Sequence, residues 1–192
     1  MNNGTTFSFQ KLVLISLAYL VAHSFTTGLF DPIRSILAPN IPPNISLLFI
    51  PHGIRVIVFY RYGAWGYAYL TPPAFLMWVL EVFGNGNDFY LLLTGFVSLA
   101  STHAGVGLAR ALMDRNGNGT AGFLPWKPIV AAGLFASCLN SLCLTFLYAQ
   151  QLDSLSFSAY LFGDIMGVLG ALVLVRAFLM IAMALNTTTG KE

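Results

Sequence analysis

Six long runs almost free of charged side chains decide what this chain can fold into. They cover residues 11–30, 45–62, 65–83, 89–113, 127–150 and 157–185. A helix that crosses the hydrocarbon core of a bilayer needs about 20 mostly apolar residues, because each residue rises about 1.5 Å. Lipid also offers no partner to a backbone N–H or C=O, so the chain must satisfy these groups internally, as a helix does. Of the 192 residues, 57% are hydrophobic and 8% are charged. A soluble domain of this size has too large a share of surface to hide so much apolar side chain. A soluble enzyme, a disordered chain and a nucleic-acid binder are excluded. The last would cluster its Lys and Arg, and here the nine basic residues are spread over the whole length. The expectation is an all-α, polytopic membrane helix bundle of about six transmembrane helices, forming one domain over residues 1–192.

Two of the runs contain helix-breaking residues. The second has Pro51 and Gly53 and the third has Thr71-Pro72-Pro73. Proline removes a backbone donor and clashes with the preceding turn, so both helices are expected to be kinked or broken. The connectors are short. Residues 31–44 form the longest outer one, with room for a short interfacial helix. Residues 84–88 and 114–126 are rich in Gly and Asn and read as turns.

Lys and Arg favour the cytoplasmic side of a membrane. With both termini inside, the inner side holds Lys11, Arg61, Arg110, Arg115, Lys127 and Lys191, and the outer loops hold Arg34 alone. The inverse topology reverses that six-to-one ratio. The chain therefore reads as N-in, C-in.

Ionisable groups inside a membrane are costly and stand as functional candidates. His23, His52 and Asp164 each fall about 10 Å below the outer helix ends, and Arg55 about 15 Å. They come from the first, second and sixth runs but share one layer. Two readings are open. One is a ligand-binding polar pocket open to the outside. The other is an internal Arg55–Asp164 ion pair that locks helices together, with a histidine beside it. On the sixth run, Gly163, Gly167 and Gly170 form a smooth face of the kind that lets helix backbones approach closely. His103, among Ser101, Thr102, Gly105 and Gly107, reads as part of a packing stripe. The other Ser and Thr hydroxyls in the runs are expected to bond back to their own helix.

No metal or cofactor is called for, and no nucleophile–base pair stands out, so no enzymatic activity is expected. Asp114-Arg115-Asn116-Gly117-Asn118-Gly119 begins like a calcium loop, but position twelve, which requires Glu, is Pro125. Cys138 and Cys143 are five residues apart on one run, point in different directions, and read as small buried hydrophobes.

Two segments carry a resemblance. Phe49-Ile50-Pro51-His52-Gly53-Ile54 resembles the W-P-x-G-I segment of MASE1-type bacterial membrane sensor domains, and residues 161–169 resemble their G-D-x-x-G-V-L segment. The two occur in the same order and cover about 30 residues. The family has about eight helices followed by a kinase or cyclic-nucleotide output domain. This chain has six runs, and no output domain of its own is expected. The resemblance implies a module in the bacterial inner membrane that binds a small ligand or a partner protein within the bilayer. The partner is another membrane protein or a second copy. The length, six runs and Ala18-x-x-x-Ala22 are also similar to substrate-binding subunits of energy-coupling-factor transporters. An accessory subunit of a larger membrane complex is a third reading.

Overall fold

The described backbone is almost entirely helical. The computed structural model describes residues 7–41, 45–84, 89–114, 125–147 and 154–189. α1 (Phe9–Phe25) passes through one π-helical turn (Thr26–Phe30) straight into α2 (Asp31–Leu37). α3 (Ile50–Tyr62), α4 (Trp65–Gly84), α5 (Phe89–Asp114), α6 (Trp126–Leu147) and α7 (Ser154–Thr189) follow. Among the described residues, three helical stretches are long and apolar enough to cross a membrane: Phe9–Leu37, Trp126–Leu147 and Phe157–Ile181. Their outward faces carry Leu14, Val21, Phe146, Val173 and Phe178, all exposed. Such a surface suits lipid and not water.

α3 is the hub. It touches α1, α4, α5, α6 and α7, while α5 and α6 share the most extensive helix–helix contact. Eight of its 13 residues are buried, from Ile50 to Phe59. Val56 and Phe59 join Tyr19, Tyr69, Leu70, Leu99, Val106, Ile129, Ala136 and Val168 in one core.

The second apolar run departs from expectation. At 13 residues, α3 is about 20 Å long, too short to cross a hydrocarbon core of about 30 Å. Residues 45–49 lead into it without helical structure. Pro51 lies in its first turn, where a missing N–H costs nothing. Gly63 ends it with φ 56°, a left-handed backbone that disfavours any side chain, and its N–H returns to the Phe59 carbonyl. Of the kink or break expected in the third run, the break does not occur: α4 runs on through Pro72 and Pro73. The prolines remove the N–H partners of the Ala68 and Tyr69 carbonyls, but the helix does not end there.

The lead-in to α3 lies on α7. The Phe49 N–H donates to the Gly163 carbonyl at 3.0 Å. A Cβ at Gly163 would strike the Ser46 carbonyl, and one at Gly167 the Phe49 carbonyl. Gly53, facing them from α3, has room for no Cβ against Gly167 and Ala171. Gly170 stands apart from this seam, since its Cβ would make ordinary contact with Leu48 at 3.5 Å. Gly105 performs the equivalent role between α5 and α6, where a Cβ would meet the Ala136 backbone. Open space surrounds Gly107. Cys138 and Cys143 are free thiols, exposed and half-buried respectively. The turns expected at 84–88 and 114–126, with most of the calcium-like motif, fall largely at residues 85–88 and 115–124, outside the described residues.

Candidate functional site: a closed polar layer

The buried polar side chains cluster in one half of the bundle. α1 contributes Tyr19 and His23 from its C-terminal half, the π-helical turn contributes Thr26, and α3 contributes His52 and Arg55 from its start. α5 adds Ser98, Ser101 and Thr102, α6 adds Ser137, Asn140 and Ser141, and α7 adds Asp164. Alternating helix directions bring these positions to one level of the bundle. The layer is closed: His52 is 0% exposed, Asp164 2%, Arg55 3% and His23 9%.

Arg55 does not reach Asp164 as an ion pair. Its Nε donates to the Tyr19 hydroxyl at 3.1 Å and Nη2 donates to the same oxygen. Nη1 donates to Ser98 Oγ at 2.6 Å. The guanidinium also lies 5.5 Å from the Tyr19 ring centre and 5.4 Å from that of Phe49. Planar, weakly hydrated guanidinium suits such a site better than ammonium would. The expected direct pair is therefore replaced by a tyrosine and serine cradle.

Asp164 sits with different partners. Asn140 Nδ2 donates to its Oδ2 at 2.7 Å, and Ser101 Oγ lies 3.3 Å from Asn140 Oδ1. His52 Nδ1 is 3.6 Å from Asp164 Oδ2, too long for a hydrogen bond, and it has no other partner. The other ring nitrogen, Nε2, meets Ser137 Oγ at 3.3 Å. With His52 neutral and Asp164 ionised, the charges of Arg55 and Asp164 offset each other within the layer. His23 stands one turn from Tyr19 on the buried face of α1.

The order Asp164–His52–Ser137 matches the carboxylate, imidazole and hydroxyl of a hydrolase triad. The surroundings do not suit that chemistry. Ser137 is 0% exposed and sits in the middle of α6, where backbone N–H groups are spent on helix bonds and cannot line an oxyanion hole.

Sequence reasoning picked out His23, His52, Arg55 and Asp164 but missed Tyr19, Ser98, Ser137 and Asn140. Asn140 carried a signal, an amide inside an apolar run. The hydroxyls carried none, because most do bond back locally, as Thr102 does to Ser98 and Thr145 to Ser141. Ser98 and Ser137 bond across helices instead. His103 packs as read: its ring stacks on Phe59 at 5.0 Å and its Nδ1 meets the Tyr67 hydroxyl at 3.2 Å.

Comparison with models of protein families, with curated proteins and with solved structures finds no match to this chain.

Proposed function

We propose that this chain is a membrane-embedded binding module, similar in kind to MASE1-type sensor domains, whose working part is the polar layer around Arg55, His52 and Asp164. One observation carries the reading: three ionisable side chains, dispensable for crossing a membrane, are gathered and enclosed where α1, α3, α5, α6 and α7 meet. Charged groups at such depth are kept where they act on something. The contact between residues 49–53 and 163–167 supports the resemblance, since the two segments that carry it pack against each other.

The same reading takes the chain as N-in and C-in in a bacterial inner membrane, with the layer in the outer half. Lys11, Arg110 and Lys127 lie over Tyr62, Tyr60 and Trp126, and aromatic rings beside basic side chains suit the inner headgroup level. Single cysteines at Asn87 and Asn118, placed in a chain lacking Cys138 and Cys143, test this. Labelling from outside at Asn87 only supports the orientation, and labelling from outside at Asn118 reverses it.

Native mass measurement of the gently extracted protein tests the function. A bound small molecule or stoichiometric membrane partner that is lost in Arg55→Lys supports a binding module. A stoichiometric ATPase assigns the chain to transport instead. A bare chain, or a partner indifferent to Arg55→Lys, defeats the role given to the layer.

A further inference from the structure

The geometry points to a proton-binding site shared by His52 and Asp164, which joins α3 to α7. It deepens the function proposed above and rests on the polar layer being its working part.

Both groups are buried, and both face each other across a gap that no hydrogen bond closes. The His52 Nδ1 to Asp164 Oδ2 distance is 3.6 Å, and Nδ1 has no other partner. The far nitrogen is engaged, with Nε2 at 3.3 Å from Ser137 Oγ. In the tautomer that gives Nε2–H to the Ser137 oxygen, Nδ1 presents a lone pair to the carboxylate. Two lone pairs then confront each other, which accounts for a contact that stops short of bonding. One added proton resolves it. Placed on Nδ1 it makes N–H···O, and placed on Oδ2 it makes O–H···N. The first is a charge-assisted bond of about 2.7–2.9 Å, and the second a neutral O–H···N bond. No other bond forms or breaks, and Nε2–H keeps its place on Ser137.

The rest of the layer leaves this pair free to take the proton. On α3, Arg55 is spent on Tyr19 of α1 and Ser98 of α5, so it does not clamp the Asp164 carboxylate. Its charge opposes an added proton, and the Asp164 charge favours one. α1 also brings His23 to its buried face beside Tyr19. Among the described buried residues of the layer, α5 offers only the hydroxyls of Ser98, Ser101 and Thr102. α6 offers Ser137, Asn140 and Ser141, and α7 offers Asp164. No second carboxylate competes there. Proton uptake shortens the link between α3 and α7, the two elements already joined through Gly53, Gly163 and Gly167.

The test is a pH titration of the whole chain in nanodiscs, read by infrared difference spectroscopy and by nitrogen NMR of labelled histidine. There are three histidines, so His23→Gln and His103→Gln identify the His52 signals. The expected result is a carboxyl band absent from Asp164→Asn that titrates with the same midpoint as the His52 ring nitrogens. Ser137→Ala, a mild change, shifts that midpoint by about one pH unit or more. Should Asp164→Asn fail to fold, the wild-type histidine signals and Ser137→Ala still decide. A His52 ring that keeps one state from about pH 4 to about pH 9, or an Asp164 band unmoved by His52→Gln, overturns the proposal. The titration needs no ligand or partner, so its failure and that of the binding role are read separately.

Discussion

Arg55 and Arg110 are each stacked on a tyrosine, Tyr19 and Tyr60, at 5.5 and 4.9 Å from the ring centre. Arg55 is enclosed, and every polar contact it makes is with a side chain from another helix. Arg110 is exposed and also donates to the backbone carbonyl of Tyr60. The two pairs look alike but have opposite consequences. Water can replace anything Arg110 loses. Nothing replaces what Arg55 loses, because a buried polar group left without a partner carries its full desolvation cost. Position, not the kind of contact, separates a residue that organises the bundle from one that decorates its edge.

The enclosure itself offers the most damaging way to break this contrast. Gly167→Leu would push a side chain into the Phe49 carbonyl, and α3 could no longer lie on α7. It should abolish assembly, seen as aggregation on extraction and size-exclusion chromatography. A variant that elutes like wild type would remove the close-approach argument. Arg55→Gln comes next. It leaves the buried Tyr19 and Ser98 hydroxyls without their donor and the layer without its offsetting positive charge, and should cost about 3 kcal/mol or more, measured by denaturation in detergent. Asp164→Asn should destabilise as well. The double change should cost less than the two single costs added, because both charges leave together. Tyr19→Phe keeps the ring and removes the hydroxyl that accepts from Arg55, for a loss of about 1.5–3 kcal/mol. Arg110→Gln should leave stability unchanged within error. A loss as large as that of Arg55→Gln would erase the distinction between the two arginines.

Helical class and the gathering of polar residues into one layer were legible because both follow from one-dimensional arithmetic. Run lengths set the helices, and distance from the run ends places His23, His52, Arg55 and Asp164 at similar depth. Rotation about each helix axis is not in that arithmetic. It is set by packing, and it turned Arg55 toward Tyr19 and Ser98 instead of Asp164. The lead-in to α3 was illegible for another reason. Residues 45–49 read as apolar helix locally, but their backbone finds a partner in Gly163, a residue far along the chain. α4 shows the converse, since Pro72 and Pro73 read as a kink or a break and the helix runs through them unbroken.

The bond from Phe49 to Gly163 has a consequence for how the protein is made. The segment around α3 emerges from the ribosome early, too short as a helix to span the bilayer and with a non-helical stretch that lipid cannot solvate. The glycine seam that receives it is translated roughly 110 residues later, which at ribosomal speeds means a wait of about 5–20 s. Insertion therefore cannot proceed one stable helix at a time. The second segment must be sheltered, in the insertion machinery or at the headgroup level, until α7 arrives to complete it. A nascent chain arrested before Gly163 should leave that segment accessible to aqueous labels, and release of the next few turns should close it off.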